Sequence, residues 1–409
     1  MPSLPAPPAS IETRQSWIVA ITAVTMLAVA QGGPLTVVVG LPRLSEHFGT
    51  RGLPSFASSL AFFGTGFGGM LCGWMTQRIG MRLVAMLAGV MLAAGLALAS
   101  GGAAWQLLAG IGIGVGVFGT GALFPPMVTH VSMWFDRRRG SALALVSSGQ
   151  FIAGALWPPI FERTIEAFGW QATMLGYAVV AAAVIVPLAA LVIRPPPIPS
   201  PGTGEAQQPR RGQRVLGMEP NLALALLAIA SFMCCVPMAM PAAHLVAFCV
   251  DIGIGARAGA AMLSVLLLAA FLSRQFWGAL SDRLGGIRTV FIGNVCQTLA
   301  MAAFLTTTDE AGLFVIAGLY GLGFGGIVPA YVLAVRDKFP REEAYWRVPA
   351  LLFLSLSGMA FGAWLAGVIY DRMGNYAAAW AVGIAVNLAQ LCLVGFLMWR
   401  ERTARRAMA

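Results

Sequence analysis

Apolar runs of roughly twenty residues, repeated about a dozen times with short polar breaks, dominate this 409-residue chain. Crossing a hydrocarbon core about 30 Å thick takes roughly twenty helical residues. Twelve crossings with short connections fit this length. Composition agrees: 58% of residues are hydrophobic and only 10% charged, against about 25% charged in soluble domains. Too little polar surface remains to face water, so lipid is the solvent for most of the chain. The formal net charge of +10 would suggest nucleic acid in a soluble protein. Here the basic residues lie between the apolar runs, where they set membrane orientation, and no nucleic-acid partner is expected.

The runs place helices at about 17–40, 54–76, 83–101, 104–131, 139–162, 171–193, 221–248, 257–280, 288–307, 310–335, 346–370 and 375–398. Residues 1–16 are proline-rich and polar. The run that follows is too long for a signal-peptide core, so it reads as the first span and no cleavable leader is expected. Residues 194–220 contain PPPIPSPGTGEAQQPRRGQR and cannot bury a core. They read as a linker between a six-helix bundle over 17–193 and another over 221–398, with tails at 1–16 and 399–409. The expected fold is an all-α polytopic membrane protein, twelve transmembrane helices in two pseudo-symmetric six-helix bundles.

Charge orients this topology. With the N-terminus inside, twenty of the 26 Lys and Arg fall in cytoplasmic segments. Five (Arg43, Arg51, Arg163, Arg257, Arg372) fall outside, and Arg274 lies within a span. Cytoplasmic retention of Lys and Arg is the main determinant of orientation. Both termini are therefore expected in the cytoplasm, in a bacterial-type inner membrane.

The halves repeat each other. GWMTQRIGMR at 73–82 follows the second span, and GALSDRLGGIR at 278–288 follows the eighth. Gly73, Arg78 and Gly80 map onto Gly278, Arg283 and Gly285 with one offset. Pro125 precedes Phe135 by ten residues, as Pro329 precedes Phe339. Both halves start on the same side, which makes this a parallel repeat enclosing a central cavity.

Arg274 carries the strongest chemical argument. It lies nine residues deeper than Arg283, about 13 Å at 1.5 Å per residue. A membrane-embedded cation usually marks a substrate path. No acid lies within two turns on its N-terminal side, and an arriving carboxylate could accept two N–H bonds from the planar fork. The alternatives are snorkelling to the interface and pairing with carbonyls of a neighbouring helix. His244, midway along the seventh span, titrates near neutral pH. It is a candidate for substrate contact or proton linkage, or else a neutral His bonded between helices.

Further cavity candidates are Gln31, Thr36, Gln150, Trp157, Tyr320, Tyr331, Ser355 and Ser357, each of which could instead serve packing. Asp282, Arg283 and Arg78, with Gly73 and Gly278, are expected to brace helix ends and gate the inward opening. Arg137, Arg138 and Arg139 suit anionic lipid headgroups or simple positive-inside placement. Of the acids, only Glu162 and Glu166 approach a span, both near its outer end. A carboxylate relay or buried-acid sodium site through the centre is therefore not expected. GIGIGVGVFGTG at 110–121 lacks the lysine of a phosphate loop; it reads as close helix packing, repeated at GLYGLGFGG, 318–326. Pro125–Pro126 and Pro158–Pro159 are expected to kink their helices. The six cysteines show neither metal-ligand spacing nor a disulfide framework, so they read as packed small hydrophobes and no metal or other cofactor is expected.

The loop G-x-x-x-D-R-x-G between the second and third spans, and again between the eighth and ninth, resembles the signature of the major facilitator superfamily. The second copy is intact at Gly278, Asp282, Arg283 and Gly285. In the first, Gln77 stands where the family has Asp. WFDRRRGSALALVSSGQFIAGALWPPIF at 134–161, SRQFWGALSDR at 273–283 and the His-Leu pair at His244 resemble the monocarboxylate porter branch. That resemblance implies transport of small organic anions such as lactate or pyruvate, often with a proton; oxalate/formate antiport is a related activity. Three departures matter. The first span lacks the cation of animal members, Ala270 replaces an Asp four residues before the arginine, and residues 349–370 lack the second cation of dicarboxylate antiporters.

The sequence thus points to a secondary transporter, not an enzyme, that moves a small organic anion past Arg274 by alternating access. Protons are the coupling ion to be tested, and lipids and substrate are the expected partners of a monomer. Export or import of a larger amphipathic compound, a drug or siderophore, is the alternative. A membrane sensor would need a sizeable soluble output domain, which neither the linker nor the tail supplies.

Overall fold

The computed structural model describes residues 12–135, 142, 145–196 and 214–408. The first span is two helices, α1 (Arg14–Ala30) and α2 (Gly32–Phe48), broken at Gln31. There Gly32 presses against the rings of Tyr177 and Trp157 with no room for a Cβ. Then come α3 (Gly52–Ile79), α4 (Met81–Ala99) and a composite fourth span of α5 (Ala104–Ala109), a π-helical stretch (Gly110–Thr120) and α6 (Gly121–Ser132). Next is α7 (Gly149–Val192), two spans in one, bent at Gly169 with φ 82° and ψ 164°. Only glycine takes such a φ freely.

The second half holds α8 (Pro220–Asp251), α9 (Ala256–Leu284), α10 (Gly286–Ala303), α11 (Glu310–Phe324), α12 (Ile327–Lys338), α13 (Arg341–Met373) and α14 (Ala377–Met408). Among the described residues, ten segments are long and apolar enough to cross a membrane. The 145–192 segment supplies two spans, and α10 is the one that apolarity misses, because buried Asn294 and Gln297 dilute it. The described residues thus trace twelve spans in two six-helix bundles.

Each half has its own buried core. Val38, Leu41 and Phe151 of the first half join the second core, which ties the halves together. The glycine runs serve close approach. Gly64 and Gly68 of α3 abut backbone at Gly112 and Val117, and Gly95 of α4 abuts Gly110 and Gly114. In the other half Gly321 and Gly325 abut Leu266 and Ala270 of α9. Small residues let helix backbones touch, and the resulting van der Waals packing helps drive helix association in lipid.

Some boundaries differ from those expected. The last helix continues to Met408 rather than ending near 398. Lys338 and Glu401 pair at 2.5 Å, and Arg400 donates to the Gly217 carbonyl at 2.8 Å, so polar contacts outside lipid extend it. Residues 214–218 close a tight turn, with Val215 and Met218 bridged. Arg137, Arg138, Arg139 and most of the linker lie outside the described residues.

Candidate functional site

The two halves meet along a seam where α7 runs antiparallel to α9. Gly154 abuts Leu267, and farther along the face of Phe151 meets the Arg274 guanidinium, Cζ 5.2 Å from the ring centroid. Phe151 also reaches Phe324, ring centroids 6.5 Å apart. Two neighbours of Arg274 on α9 already have partners. Ser273 donates to the Ala270 carbonyl at 3.2 Å, and Trp277 Nε1 to the Leu322 carbonyl at 2.7 Å. Arg274 itself is half-buried and makes no hydrogen bond or ion pair among the described residues. A cation–π contact is worth only about 0.5–2 kcal/mol. A charged side chain at a helix centre in a bilayer costs ~2.5–3.5 kcal/mol even on insertion scales. The ring offsets only part of that cost and engages none of the N–H donors, so the fork remains available to an anion.

The other expected contacts separate into two groups. Gln31, at the break in the first span, and Gln150, next to Phe151, are half-buried with no hydrogen bond from their amides among the described residues. The rest already have partners. Trp157 Nε1 donates to the Ala28 carbonyl at 2.9 Å, and its ring lies on Phe161. Thr36 donates to the Gly33 carbonyl at 2.7 Å. Tyr320 donates to the Pro237 carbonyl at 2.8 Å, and Tyr331 accepts from Gln390 at 2.8 Å; both tyrosines are buried. Ser355 lies 2.6 Å from Ser231, and Ser357 donates to the Phe353 carbonyl at 2.8 Å. The structure does not bring these six to Arg274.

His244 belongs to a different cluster, at one end of the molecule. Arg51, just before α3, donates from both terminal nitrogens to Asp251 at the end of α8, each at 2.5 Å. It also donates to the Tyr376 hydroxyl at 2.9 Å and lies 3.7 Å over the Tyr370 ring. Asp371 accepts from the Arg51 and Gly52 amides at 2.8 and 2.7 Å and from Thr50 at 2.5 Å. Tyr376 in turn meets His244 Nδ1 at 2.9 Å, and His244 Nε2 meets the Ala363 carbonyl at 2.8 Å. Donation therefore runs one way: Arg51 to Tyr376, Tyr376 to Nδ1, Nε2–H to Ala363. That order fits a neutral imidazole. Burial works to lower the Arg51 pKa, but the Asp251 hydrogen bond and the Tyr376 hydroxyl outweigh it, so the guanidinium is held above its ordinary value.

This clamp joins the halves at one end. Below it Ser59 donates to the Ala360 carbonyl at 2.5 Å, and Phe63 packs on Phe353, centroids 5.4 Å apart. At the opposite end the space beside Gly73 and Gly278 is open, and Met70, Trp74, Leu272 and Phe276 are exposed. Arg78 is exposed and stacks on Trp74 at 4.2 Å. Arg283 is exposed, and the side chain of Asp282 lies outside those described. Sequence reasoning missed the clamp because Arg51 reads as a loop charge and Asp251 and Asp371 fall just beyond the expected spans 221–248 and 346–370. The one signal was that all three fall at the same end of their spans.

Residues 18–345 match the family described as Major Facilitator Superfamily. The chain belongs to that superfamily. This transporter is 26% identical over 316 residues to "MFS-type transporter 1" of Ophiocordyceps sp. (strain BCC 1869), covering 74% of this chain and 68% of the relative. It is 26% identical over 382 residues to "Monocarboxylate transporter 11" of Mus musculus, covering 90% and 83%. It is 24% identical to "Agnestins efflux protein AgnL12" of Paecilomyces divaricatus, covering 71% and 65%. The crystal structure of a variant of the nucleoside transporter NupG superposes with a TM-score of 0.73 at 12% identity, covering 94% and 100%. That likeness concerns the fold alone. As a superfamily transporter, the protein carries a small-molecule substrate across a membrane.

Proposed function

We infer that this transporter moves a small organic anion, a monocarboxylate, by alternating access, with Arg274 receiving the carboxylate. The observation that carries the reading is the guanidinium of Arg274 on the α7/α9 seam, half-buried and without a polar partner among the described residues. A planar fork of N–H donors matches a carboxylate in bidentate geometry. An anion bound there would neutralise the charge and ease its occlusion, because leaving one charge of a pair uncompensated in apolar surroundings is costly. The relatedness to the monocarboxylate transporter of Mus musculus supports the same chemistry.

The bias of basic residues assigns the clamped end to the outside and both termini to the cytoplasm. In this orientation the end that holds Gly73 and Gly278 faces inward, and protons are the natural coupling ion. Gly73, Arg78, Gly278, Asp282 and Arg283 then form the inner gate, in which Gly73 and Gly278 stand in open space in this conformation.

A second reading is transport of a larger amphipathic compound. The exposed apolar side chains of Trp74, Leu272 and Phe276 at the open end favour it, as does the relative whose name denotes efflux. A thermal-shift screen of purified protein separates the two. A ligand at a hundred times its Kd stabilises by about 2.7 kcal/mol. Lactate or pyruvate is expected to raise the melting temperature of the wild type and not of Arg274→Ala. Stabilisation only by amphipathic drugs, unchanged in Arg274→Ala, would reject the anion reading.

A further inference from the structure

Glu162 stands on α7 near the clamped end, 8% exposed, and one of its carboxyl oxygens is fully buried with no hydrogen-bond partner. Its closest charges are Glu166 and Arg163 on its own helix and Arg257 at the start of α9, and no cation forms an ion pair with it among the described residues. Because α7 and α9 are antiparallel and Gly154 abuts Leu267, Glu162 lies level with the first turn of α9. It therefore sits on the seam that also holds Phe151 and Arg274, about 16 Å from Phe151 along the helix.

An ionised carboxylate with an unpaired oxygen in such a place is costly, whereas the protonated acid removes the charge. Neither anion binding at Arg274 nor the inner gate uses this side chain. Opening the clamped end would part α7 from α9 and bring Glu162 to water, where the carboxylate is stable.

We propose that Glu162 is a proton-binding site of the transport cycle: protonated while the α7/α9 seam is closed at the Arg51 end, ionised when that end opens. The inference rests on the alternating-access reading. One proton, held on the carboxyl, leaves to water on opening and returns on closure. Raising the pH on that side therefore favours the open state, and acidification drives closure. With one proton released, the opening equilibrium shifts up to about tenfold per pH unit. Other charged groups at this end set the background. They are Arg43, Glu46 and His47 of α2, which line a pocket with Glu166, then Arg51 and its partner Asp251, Asp371, His244, and Glu310 at the start of α11.

The test is pulsed electron-spin distance measurement on the full chain in nanodiscs. Labels go on cysteines replacing Phe168 and Leu305, both exposed, with Cys392→Ser removing an exposed native thiol. In the wild-type background the long-distance population is expected to grow as pH rises. Glu162→Gln should hold the short distance at every pH, while Glu166→Gln keeps the wild-type response. A Glu162→Gln variant that titrates like the wild type overturns the proposal, as does a wild-type distance independent of pH. Arg51→Ala separates the two levels of failure. If it opens this end while pH does not, only the Glu162 assignment fails; if nothing opens it, alternating access fails too.

Discussion

Arg51 and Asp251, from different halves of the transporter, meet through both terminal guanidinium nitrogens at 2.5 Å. The pair is largely shielded from solvent, with 11% of the arginine side chain and 22% of the aspartate exposed. It clamps together two bundles that elsewhere touch mainly through apolar and backbone contacts.

Breaking this pair should release the clamped end. Hydrogen bonds to charged groups contribute ~1.5–3 kcal/mol each. Arg51→Ala and Asp251→Asn are each expected to shift the conformational equilibrium about tenfold or more toward opening there. Labelling of a cysteine placed at Ser55 by a membrane-impermeant thiol reagent would report it. The double variant should add little to either single change, since the two residues act as one unit.

Tyr376 transmits between Arg51 and His244. Tyr376→Phe removes an acceptor from the arginine and a donor to the imidazole, leaving buried polar atoms unpaired at a cost of ~1–3 kcal/mol each. Thermal unfolding should show a clear loss of stability. His244→Gln, which keeps donor and acceptor capacity, should melt closer to the wild type than His244→Phe.

Helix approach predicts a sharp contrast between glycines. Gly68→Ala drives a methyl into the Val117 backbone, and overpacking of this kind costs ~1–3 kcal/mol. Gly73→Ala meets nothing within 4 Å in this conformation and improves helix propensity, so it should leave the melting temperature unchanged or slightly raised. If Gly73→Leu transports normally, the view that the Gly73 end closes in the other state is wrong.

Much of the fold was legible because lipid imposes it. Apolar runs set the spans, and the 205-residue offset between Gly73 and Gly278 exposed the two halves. The glycine runs were readable as packing surfaces for the same reason. The candidate site was legible only where one residue defies its surroundings, as Arg274 does. Tyr320, Tyr331 and Trp157 looked like cavity residues but bond to backbone or to neighbouring helices. Polarity in a span signals a partner without saying whether that partner is ligand or protein. Arg51 was hidden for the opposite reason. A charge between spans is ordinary, and only the pairing of distant loops reveals its use.

Arg274 is proposed to receive the transported carboxylate. Counterflow of radiolabelled lactate and pyruvate into proteoliposomes, comparing wild type, Arg274→Lys and Arg274→Ala at equal protein orientation, tests it most directly. Loss of a bidentate charged contact predicts at least a hundredfold fall for alanine, about 2.7 kcal/mol or more, and a smaller but large fall for lysine, whose ammonium lacks the planar fork. Uptake by Arg274→Ala at the wild-type rate would contradict the account.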